Sequence, residues 1–362
     1  MSDEMHFVPS SYMNYYIINH KKARIGLGSS GRPERTWADL EPFVAGKPLY
    51  NEHTGGAESV LVKQIVSRYG MPDKIDAMVL PGTSGANAVA IHALAPPGST
   101  VAVEAPIYDP VYFMILAAER TVVRLDRLPQ ASFVPCLCAV ESLLAAGNVR
   151  ALFLTNHHNP SGTFLDGDFF VKLHKLLVKY DCLGIVDEVY LEFHPEWRKN
   201  TVLNFGDRYV VTASVTKVFG LGNLRVGWIA GKPDLVEKCR QMWYLMAVHN
   251  STPSMMIASH LWDHLDSLVE EDRLSVARNK EITIEWAAKT GLEFFAPDLA
   301  PIGLIKLPKG VSDLEFARRA LDDKGLFLAP GCFFGLPGTL RLGFFKGEGE
   351  LREGLDTIAK LL

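Results

Sequence analysis

The chain has 362 residues, of which 48% are hydrophobic and 22% are charged, and its formal net charge is −4. This composition is ordinary for a globular enzyme with one large and one smaller core, and it lacks the basic surplus of a nucleic-acid-binding protein. The N-terminal MSDEMHFVPS has no apolar signal core, and no apolar run reaches the roughly 18 residues that span a bilayer. We therefore expect a cytoplasmic protein without a membrane or nucleic-acid partner.

Short apolar segments rich in β-branched residues alternate with helix-like segments along the first two thirds of the chain. The predicted strands are 76–81, 99–104, 120–125, 150–155, 183–188, 209–214 and 226–231. Predicted helices between them cover 85–95, 110–120, 168–180 and 234–246. This alternation is typical of a parallel sheet covered by helices on both faces, with a ligand site at the carboxyl ends of the strands.

From about residue 255 the pattern changes. Residues 258–291 predict one or two long amphipathic helices that end at Gly291, and further strands and helices follow to the C-terminus. We predict an α/β fold with two parts. A large domain over 45–265 holds a mostly parallel sheet sandwiched by helices. A smaller α+β domain is built from the N-terminal segment 1–44 and the C-terminal segment 266–362.

Two motifs are misleading at first sight. GLGSSG at 26–31 fits the dinucleotide fingerprint, but no strand precedes it and Pro33 follows it closely, so we predict a flexible loop near a ligand. The C-x-C at Cys136 and Cys138 has no second pair at metal spacing. With five scattered cysteines in all, the chain is expected to hold reduced thiols and no metal.

Chemically unusual residues follow the predicted strands directly. Lys217 stands at such a strand end, and a buried lysine amine can form a Schiff base with pyridoxal phosphate. This cofactor needs a carboxylate on its pyridine nitrogen, donors to its phenolate oxygen, a flat group against its ring and several donors around its phosphate. The chain offers Asp187 for the first need, Tyr190 and Asn159 for the second, Tyr108 for the third, and for the phosphate the turn GTSG at 82–85, Ser214 and Arg225.

Three motifs in order carry a family resemblance. They are N-P-x-G at 159–162, D-E-x-Y at 187–190, and S-x-x-K from Ser214 with an arginine eight residues after the lysine. With them the chain, from about Gly26 to Arg341, resembles the class I/II aminotransferases, which are fold-type-I enzymes dependent on pyridoxal phosphate.

The resemblance implies a role for each matching residue. Lys217 is implied to hold the cofactor as an internal aldimine and to move the substrate proton, with Asp187 on the pyridine nitrogen. Tyr190 and Asn159 are implied at the phenolate oxygen and Tyr108 against the ring. The implied phosphate ligands are Ser84, Gly85, Ala86, Ser214, Arg225 and, from the neighbouring subunit, Tyr50. Arg341 is implied to bind the substrate α-carboxylate, with Gly28 and Asn159 beside it.

Alternatives stay open at several of these positions. Tyr112 rivals Tyr108 in a slipped register, Arg341 could form a surface ion pair, and Tyr50 could be a packing residue. His157 and His158 are adjacent in an extended segment and point opposite ways, so we interpret them as lining a loop rather than binding a metal.

The implied activity is amino-group transfer between an α-amino acid and a 2-oxo acid, in a homodimer with shared sites. The N-terminal segment 23–40 also resembles a subgroup that includes capreomycidine synthase, in which the same carbanion undergoes elimination and ring closure; decarboxylation is a third fate. A cofactor-binding regulator without catalysis is disfavoured, because the roughly 25 residues ahead of the resemblance hold no helix-turn-helix. We find no arginine to assign to a second substrate carboxylate.

Overall fold

The computed structural model describes residues 8–49, 56–296 and 299–362. Its helices are α1 Ser11–Asn19, α2 Trp37–Val44, α3 Gly56–Tyr69, α4 Gly82–Leu94, α5 Asp109–Ala117, α6 Leu137–Ala145, α7 Gly167–Lys179, α8 Trp197–Asn200, α9 Pro233–Met246, α10 Thr252–Leu261, α11 Leu265–Thr290, α12 Asp313–Lys324 and α13 Glu348–Leu361. Its strands are β1 Ile25–Gly26, β2 Asp76–Leu80, β3 Thr100–Ala105, β4 Thr121–Asp126, β5 Val149–Thr155, β6 Leu183–Asp187, β7 Tyr209–Ser214, β8 Gly227–Gly231, β9 Phe294–Phe295, β10 Ile302–Lys306, β11 Leu326–Phe327, β12 Ala329–Pro330 and β13 Thr339–Gly343.

A seven-stranded sheet forms the centre of the α/β fold, in the order β2-β8-β7-β6-β5-β3-β4. Its strands run parallel except β8, which pairs antiparallel with both β7 and β2. All seven predicted strand segments are confirmed. Six of them are largely buried, as expected for a sheet covered on both faces, whereas β4 at the sheet edge has Leu125 as its buried residue. The prediction of a mostly parallel sheet is confirmed as well.

Alternate residues of these strands pack into two different cores. In β2, Ala77 and Val79 join one cluster of buried side chains, whereas Met78 and Leu80 join the other. Helix α7 covers the first face with apolar residues at helical spacing, and its N-cap Asp166 accepts a hydrogen bond from the Phe169 backbone. Helices α4 and α9 cover the second face.

The C-terminal part has its own sheet of antiparallel strands, in the order β12-β13-β10-β9. The N-terminal segment reaches it through β1, which pairs parallel with β11. Helix α11 ends at Gly291, which has the positive φ of 72° typical of a helix C-cap, so the predicted helix end is confirmed. The proposed division of the chain at residues 44/45 and 265/266 stays a prediction.

The expectation of five reduced cysteines is wrong at one pair. Cys136 and Cys138 form a disulfide, with Cα atoms 5.3 Å apart. Cys136 is the extended N-cap residue of α6 and Cys138 lies in its first turn, so the bend of the chain brings both sulfurs to one side. Cys182, Cys239 and Cys332 are free thiols. Among the described helices, none is both long and apolar enough to cross a bilayer.

Candidate active site

The carboxyl ends of the parallel strands meet the amino end of β8 at one edge of the central sheet, and a cavity of about 250 Å³ opens there. We call it the inner cavity. Most of its walls come from the carboxyl ends of β2, β3, β5, β6 and β7 or the segments after them, as the parallel topology predicts, and the N-terminal part of the chain adds Met13 and Ser30. The residues that line it are Met13, Ser30, Thr83, Ser84, Asn87, Tyr108, Val111, Thr155, Asn159, Asp187, Val189, Tyr190, Thr216, Lys217 and Arg225.

Lys217 lies in the loop after β7, packs against Gly31 of the GLGSSG segment and lines the inner cavity. Burial, together with the nearby charges of Arg341 and Arg225, lowers the pKa of its amine to about 8. Within residues 8–49, 56–296 and 299–362 no hydrogen bond or ion pair engages Nζ. An amine with this pKa is neutral in a sizeable fraction near neutral pH, which a nucleophilic lysine requires.

Asp187 ends β6 at another wall of the inner cavity. Its carboxylate accepts hydrogen bonds from Asn87 Nδ2 (2.9 Å) and from the Val189 backbone N–H (3.0 Å). Thr212 Oγ1 donates to Asn87 Oδ1 (2.5 Å), which orients that amide. Burial raises the pKa of Asp187 to about 6, opposed by these two hydrogen bonds and by the charge of Lys217. These contacts orient the carboxylate so that it can accept a hydrogen bond from a protonated base in the cavity.

The other end of the inner cavity carries the groups that suit a phosphate. Helix α4 begins at Gly82, and Thr83 Oγ1 donates to Ser214 Oγ (2.7 Å). Arg225 has a left-handed backbone with φ of 54° and donates from Nη2 to the Pro81 carbonyl (3.1 Å). Helix N–H groups, hydroxyls and a guanidinium together form an anion site.

Glycine is required at the start of this helix. Gly82 has φ of 77°, and a Cβ there would lie 2.5 Å from Arg225 Nη2. Ser84 lines the cavity. By contrast, Gly85 packs against Pro81 and Ala86 is fully buried in the core, so these two predicted ligands can offer only backbone N–H groups.

The predicted aromatic and amide residues also reach the cavity. Tyr108 lines it, whereas Tyr112 lies under the Arg124 guanidinium at 5.3 Å beside a different surface pocket, so the register of Tyr108 is the one observed. Tyr190 is 1% exposed, and its hydroxyl has no well-formed hydrogen bond within the described chain, although Ser30 lies nearby. A buried, unpartnered hydroxyl is a donor awaiting a ligand.

Arg341 on β13 is not a surface residue. It is 1% exposed, and Nη1 donates to Asn159 Oδ1 (2.9 Å). Nη2 donates to Tyr12 Oη (2.7 Å) and to the Gly28 carbonyl (2.9 Å). No carboxylate among the described residues pairs with it. A Cβ on Gly28 would lie 2.7 Å from the Leu328 and Ala329 backbones, so only glycine fits this approach.

A second cavity, of about 280 Å³, adjoins the first, and we call it the outer cavity. The GLGSSG segment contributes to one wall and packs on Lys217, since a Cβ on Gly31 would lie 3.0 Å from Lys217 Cδ. The backbone N–H of the next residue, Arg32, donates to the Lys217 carbonyl (2.8 Å). Helix α1 forms the opposite wall through Tyr12, Met13 and Tyr16. Lys217 and Tyr108 line both cavities and so lie between them.

The histidine pair belongs to the packed loop after β5. His158 bridges Ser161 and the Pro106 carbonyl, and the His157 ring packs edge-on against Phe164. Burial lowers the pKa of His157 to about 3. In the described part of the chain, no group of three or more His, Cys, Asp or Glu side chains is arranged as a metal site.

Several groups at the site were not found by sequence analysis. Asn87 lies on α4 one turn after Thr83 and Ser84 of the predicted phosphate turn, and this helical spacing is a signal that could have found it. Tyr12 and Met13 lie on α1, for which the sequence analysis predicted no helix. Tyr50, predicted to reach the partner's phosphate, lies outside the described residues.

Comparisons with known proteins identify the family of the chain. The sequence pattern of the family "Aminotransferase class I and II" matches residues 60–358. The chain belongs to this family and is a pyridoxal-phosphate-dependent enzyme that transfers amino groups. The predicted family, fold class and cofactor are therefore confirmed.

Individual relatives are distant but span most of the chain. The aspartate aminotransferase of Thermotoga maritima is 28% identical over 311 residues, covering 83% of this chain and 80% of that protein. Capreomycidine synthase of Streptomyces vinaceus is 26% identical over 362 residues, covering 94% of this chain and 90% of that protein. A PLP-dependent aminotransferase structure from Streptococcus suis superposes with a TM-score of 0.89 at 19% identity, covering 99% and 98% of the two chains, which supports the fold.

The residues present fit this cofactor. The inner cavity joins an unpaired amine on the half-buried Lys217, a carboxylate whose pKa is raised, an unpartnered tyrosine hydroxyl and an anion site at a helix N-terminus. Each corresponds to one functional group of pyridoxal phosphate.

Proposed function

We propose that the chain transfers the amino group of an α-amino acid to a 2-oxo acid with Lys217 as the covalent attachment and proton carrier. The observation that carries this proposal is the unpaired Lys217 amine, which lies between the Asp187 carboxylate, the Arg225 anion site and the buried Arg341. Pyridoxal phosphate, when bound, withdraws electrons from the α-carbon of the attached amino acid and so makes its proton removable.

The proposed roles follow from the contacts of each side chain. Asp187 holds a proton on the pyridine nitrogen, and Asn87 keeps the carboxylate oriented. Tyr190 donates its free hydroxyl to the phenolate oxygen. Asn159 shares that task through its amide nitrogen, because its oxygen is engaged by Arg341. Tyr108 packs against the ring.

The phosphate is proposed to sit at the start of α4. Thr83, Ser84 and Ser214 offer hydroxyls, the first turn offers N–H groups, and Arg225 offers the guanidinium. This end of the site holds the cofactor without taking part in the proton transfer.

Two side chains act on the substrate. Lys217 Nζ, once neutral, would take the proton from the substrate α-carbon and deliver it to the C4′ carbon of the cofactor. Arg341 binds the α-carboxylate, which supplies the anion that this buried guanidinium lacks among the described residues. The carboxylate contact fixes the α-carbon within reach of Nζ.

A half-reaction screen tests the proposal. The cofactor-loaded protein is mixed with each of the common L-amino acids, and the absorption spectrum of the bound cofactor is followed. We expect at least one amino acid to convert the cofactor to its amine form and to release the matching 2-oxo acid. A spectrum that no amino acid changes would contradict the proposed function.

A second candidate reaction is elimination with ring closure. It is favoured by the match to capreomycidine synthase, which extends over nearly the whole of both chains. Decarboxylation is a further fate of the same amino acid. Product analysis in the same screen separates the three reactions, because transamination yields a 2-oxo acid, elimination releases the leaving group, and decarboxylation releases carbon dioxide.

We also propose the oligomeric state, the cellular location and the domain division of the enzyme. The working unit is a homodimer in the cytoplasm, with Tyr50 of each chain completing the neighbouring site. The large domain over 45–265 carries the cofactor groups, and the smaller domain from 1–44 and 266–362 carries Arg341. The pairing of β1 with β11 supports a small domain that combines both chain ends.

A further inference from the structure

Arg341 keeps donor capacity that the described residues do not use. A guanidinium has five N–H groups, and three of those on Arg341 are engaged by Asn159, Tyr12 and Gly28. Nε is buried and has no partner in the described ranges. A buried cation with unused donors and no counter-ion is costly, so the surroundings of Arg341 are suited to an arriving anion.

Tyr12 is bound to the same guanidinium. Its hydroxyl oxygen accepts a hydrogen bond from Arg341 Nη2, so the hydroxyl proton has to point elsewhere. No acceptor for that proton is found in residues 8–49, 56–296 or 299–362. Burial raises the pKa of Tyr12, which keeps the phenol neutral and able to donate. Tyr12 is 3% exposed, so nearly all of its surface is shielded from bulk water.

The position of Tyr12 joins the two cavities. Its ring lies edge-on to Tyr108 with centroids 5.9 Å apart, and the Arg341 guanidinium lies 5.4 Å from its centroid. Tyr12 lines the outer cavity, whereas Asn159, which also binds Arg341, lines the inner cavity. Arg341 itself lines neither cavity, but Tyr12 and Asn159, which bind its guanidinium, line one cavity each. A carboxylate that reaches this guanidinium therefore arrives beside the Tyr12 hydroxyl.

Asp109 fixes the helix that carries this tyrosine. Its carboxylate accepts hydrogen bonds from Ser10 Oγ (2.8 Å) and from the Tyr12 backbone N–H (2.9 Å), at the first turn of α1. No cation pairs with Asp109 in the described part of the chain. An acidic group at a helix N-terminus stabilises the helix end. Asp109, the residue after Tyr108, therefore ties the start of α1 to the start of α5.

We propose that Tyr12 is a second ligand of the substrate α-carboxylate, donating its hydroxyl beside Arg341, and that Asp109 is the positioning residue that holds α1 in place for this contact. The inference rests on the proposed function, since it takes the substrate to be an α-amino acid.

The test compares an amino acid with its carboxamide. The amino acid with the largest response in the half-reaction screen and its primary amide are each titrated against cofactor-loaded wild type, Tyr12→Phe and Tyr15→Phe, and Kd is obtained from the absorption change. Tyr15 is the matched control, because it lies on the same helix and its hydroxyl binds the Leu328 carbonyl instead. We expect Tyr12→Phe to raise Kd for the amino acid about tenfold or more and for the neutral amide less than about threefold. Tyr15→Phe should change neither by more than about twofold.

Three results would overturn the inference while leaving the proposed function intact. They are an unchanged Kd in Tyr12→Phe, an equal loss for acid and amide, and tighter binding of the acid. The last would mean that the hydroxyl only stands in for the carboxylate on Arg341. A screen without any response overturns the proposed function, and this inference with it.

The positioning role of Asp109 has its own readout. In Asp109→Ala we expect faster backbone hydrogen exchange across α1 and a raised Kd for the amino acid. Asp109→Asn keeps an acceptor for the Tyr12 N–H and should recover part of both effects. Exchange and Kd that are the same in Asp109→Ala as in wild type would contradict this role.

Discussion

Two neighbouring acids at the end of β6 have opposite surroundings. Asp187 faces the inner cavity and accepts from Asn87. Glu188 points into the core, where it accepts from the Val202 backbone N–H (2.8 Å), and burial raises its pKa to about 8. At pH 7 Glu188 is therefore largely protonated, whereas Asp187, with a pKa of about 6, is mostly ionised. Only Asp187 can supply the negative charge that a pyridinium needs.

This contrast gives a matched pair of amide substitutions. We expect Asp187→Asn to lower the half-reaction rate at least about a hundredfold, because a neutral amide does not stabilise the developing charge. Glu188→Gln should change the rate little, since glutamine resembles the protonated acid and can keep the Val202 contact. Single-turnover absorption measurements at pH 7 compare the two. A near-normal rate in Asp187→Asn would assign the pyridine partner to another residue.

Lys217 should make cofactor loading depend on pH. In the cofactor-free protein its amine is protonated below a pKa of about 8 and neutral above it, and only the neutral amine attacks an aldehyde. The rate of pyridoxal phosphate attachment should therefore rise between about pH 7 and 9 and then level off. Stopped-flow absorption gives the rate, and borohydride reduction of Lys217→Ala, which should trap no cofactor, is the control. A midpoint near the ordinary 10.5 would mean that the lysine is not desolvated.

Most of the site residues that sequence analysis predicted lie within short sequence motifs that are recognisable without a structure. Asp187 is the last residue of an apolar strand, and Lys217 and Asn159 follow within four residues of the ends of two others. Such strand ends meet at one edge of a parallel sheet. Tyr12 belongs to no such motif. It reaches Arg341 across 329 residues of sequence, and only the three-dimensional packing of α1 reveals the contact.

At the scale of single elements, the start of α4 and the left-handed turn at Arg225 depend on each other. The missing side chain of Gly82 leaves the space that the Arg225 guanidinium occupies. Any Cβ at this position would push the guanidinium away from the helix N-terminus and so weaken the anion site.

Two glycine substitutions separate this effect from simple backbone strain. Gly82 and Gly98 have φ of 77° and 75°, but a Cβ on Gly98 meets nothing within 4 Å. Both alanine variants should lose about 1–2 kcal/mol of unfolding free energy from the left-handed conformation. Only Gly82→Ala should also raise the Kd of pyridoxal phosphate, by about tenfold or more, because a displaced charged hydrogen bond is worth roughly 1.5–3 kcal/mol. Urea unfolding and cofactor titration measure the two effects, and equal cofactor affinity in both variants would rule out the steric link.

Element types were easier to predict than element directions. The apolar run of β8 predicts a buried strand, but its antiparallel pairing depends on the short turn at Gly222–Arg225 that returns the chain beside β7. The disulfide at Cys136 was missed for a similar reason, since a C-x-C pattern does not reveal that a helix begins between the two sulfurs.

At the scale of the whole molecule, the proposed shared site predicts complementation between chains. An inactive Lys217→Ala chain is mixed with a chain disabled at Tyr50, and mixed dimers are verified by differential tagging. Each proposed site combines Lys217 of one chain with Tyr50 of the other. In a mixed dimer one site therefore contains both substituted residues and the other contains neither, so part of the activity should return. A monomer by sedimentation with full activity, or no recovery in verified mixed dimers, would contradict the shared site.

The bond between Tyr12 and Arg341 also has a consequence for synthesis on the ribosome. At about 5–20 residues per second, Arg341 is made on the order of 20 to 60 s after Tyr12. Once β8 has been translated, the nascent chain can complete its central sheet, while the aromatic side chains of α1 still lack Phe327 and Phe334, which are made shortly before Arg341. A chain truncated between β8 and β13 would carry every proposed cofactor group of its own subunit and still lack the arginine for the substrate.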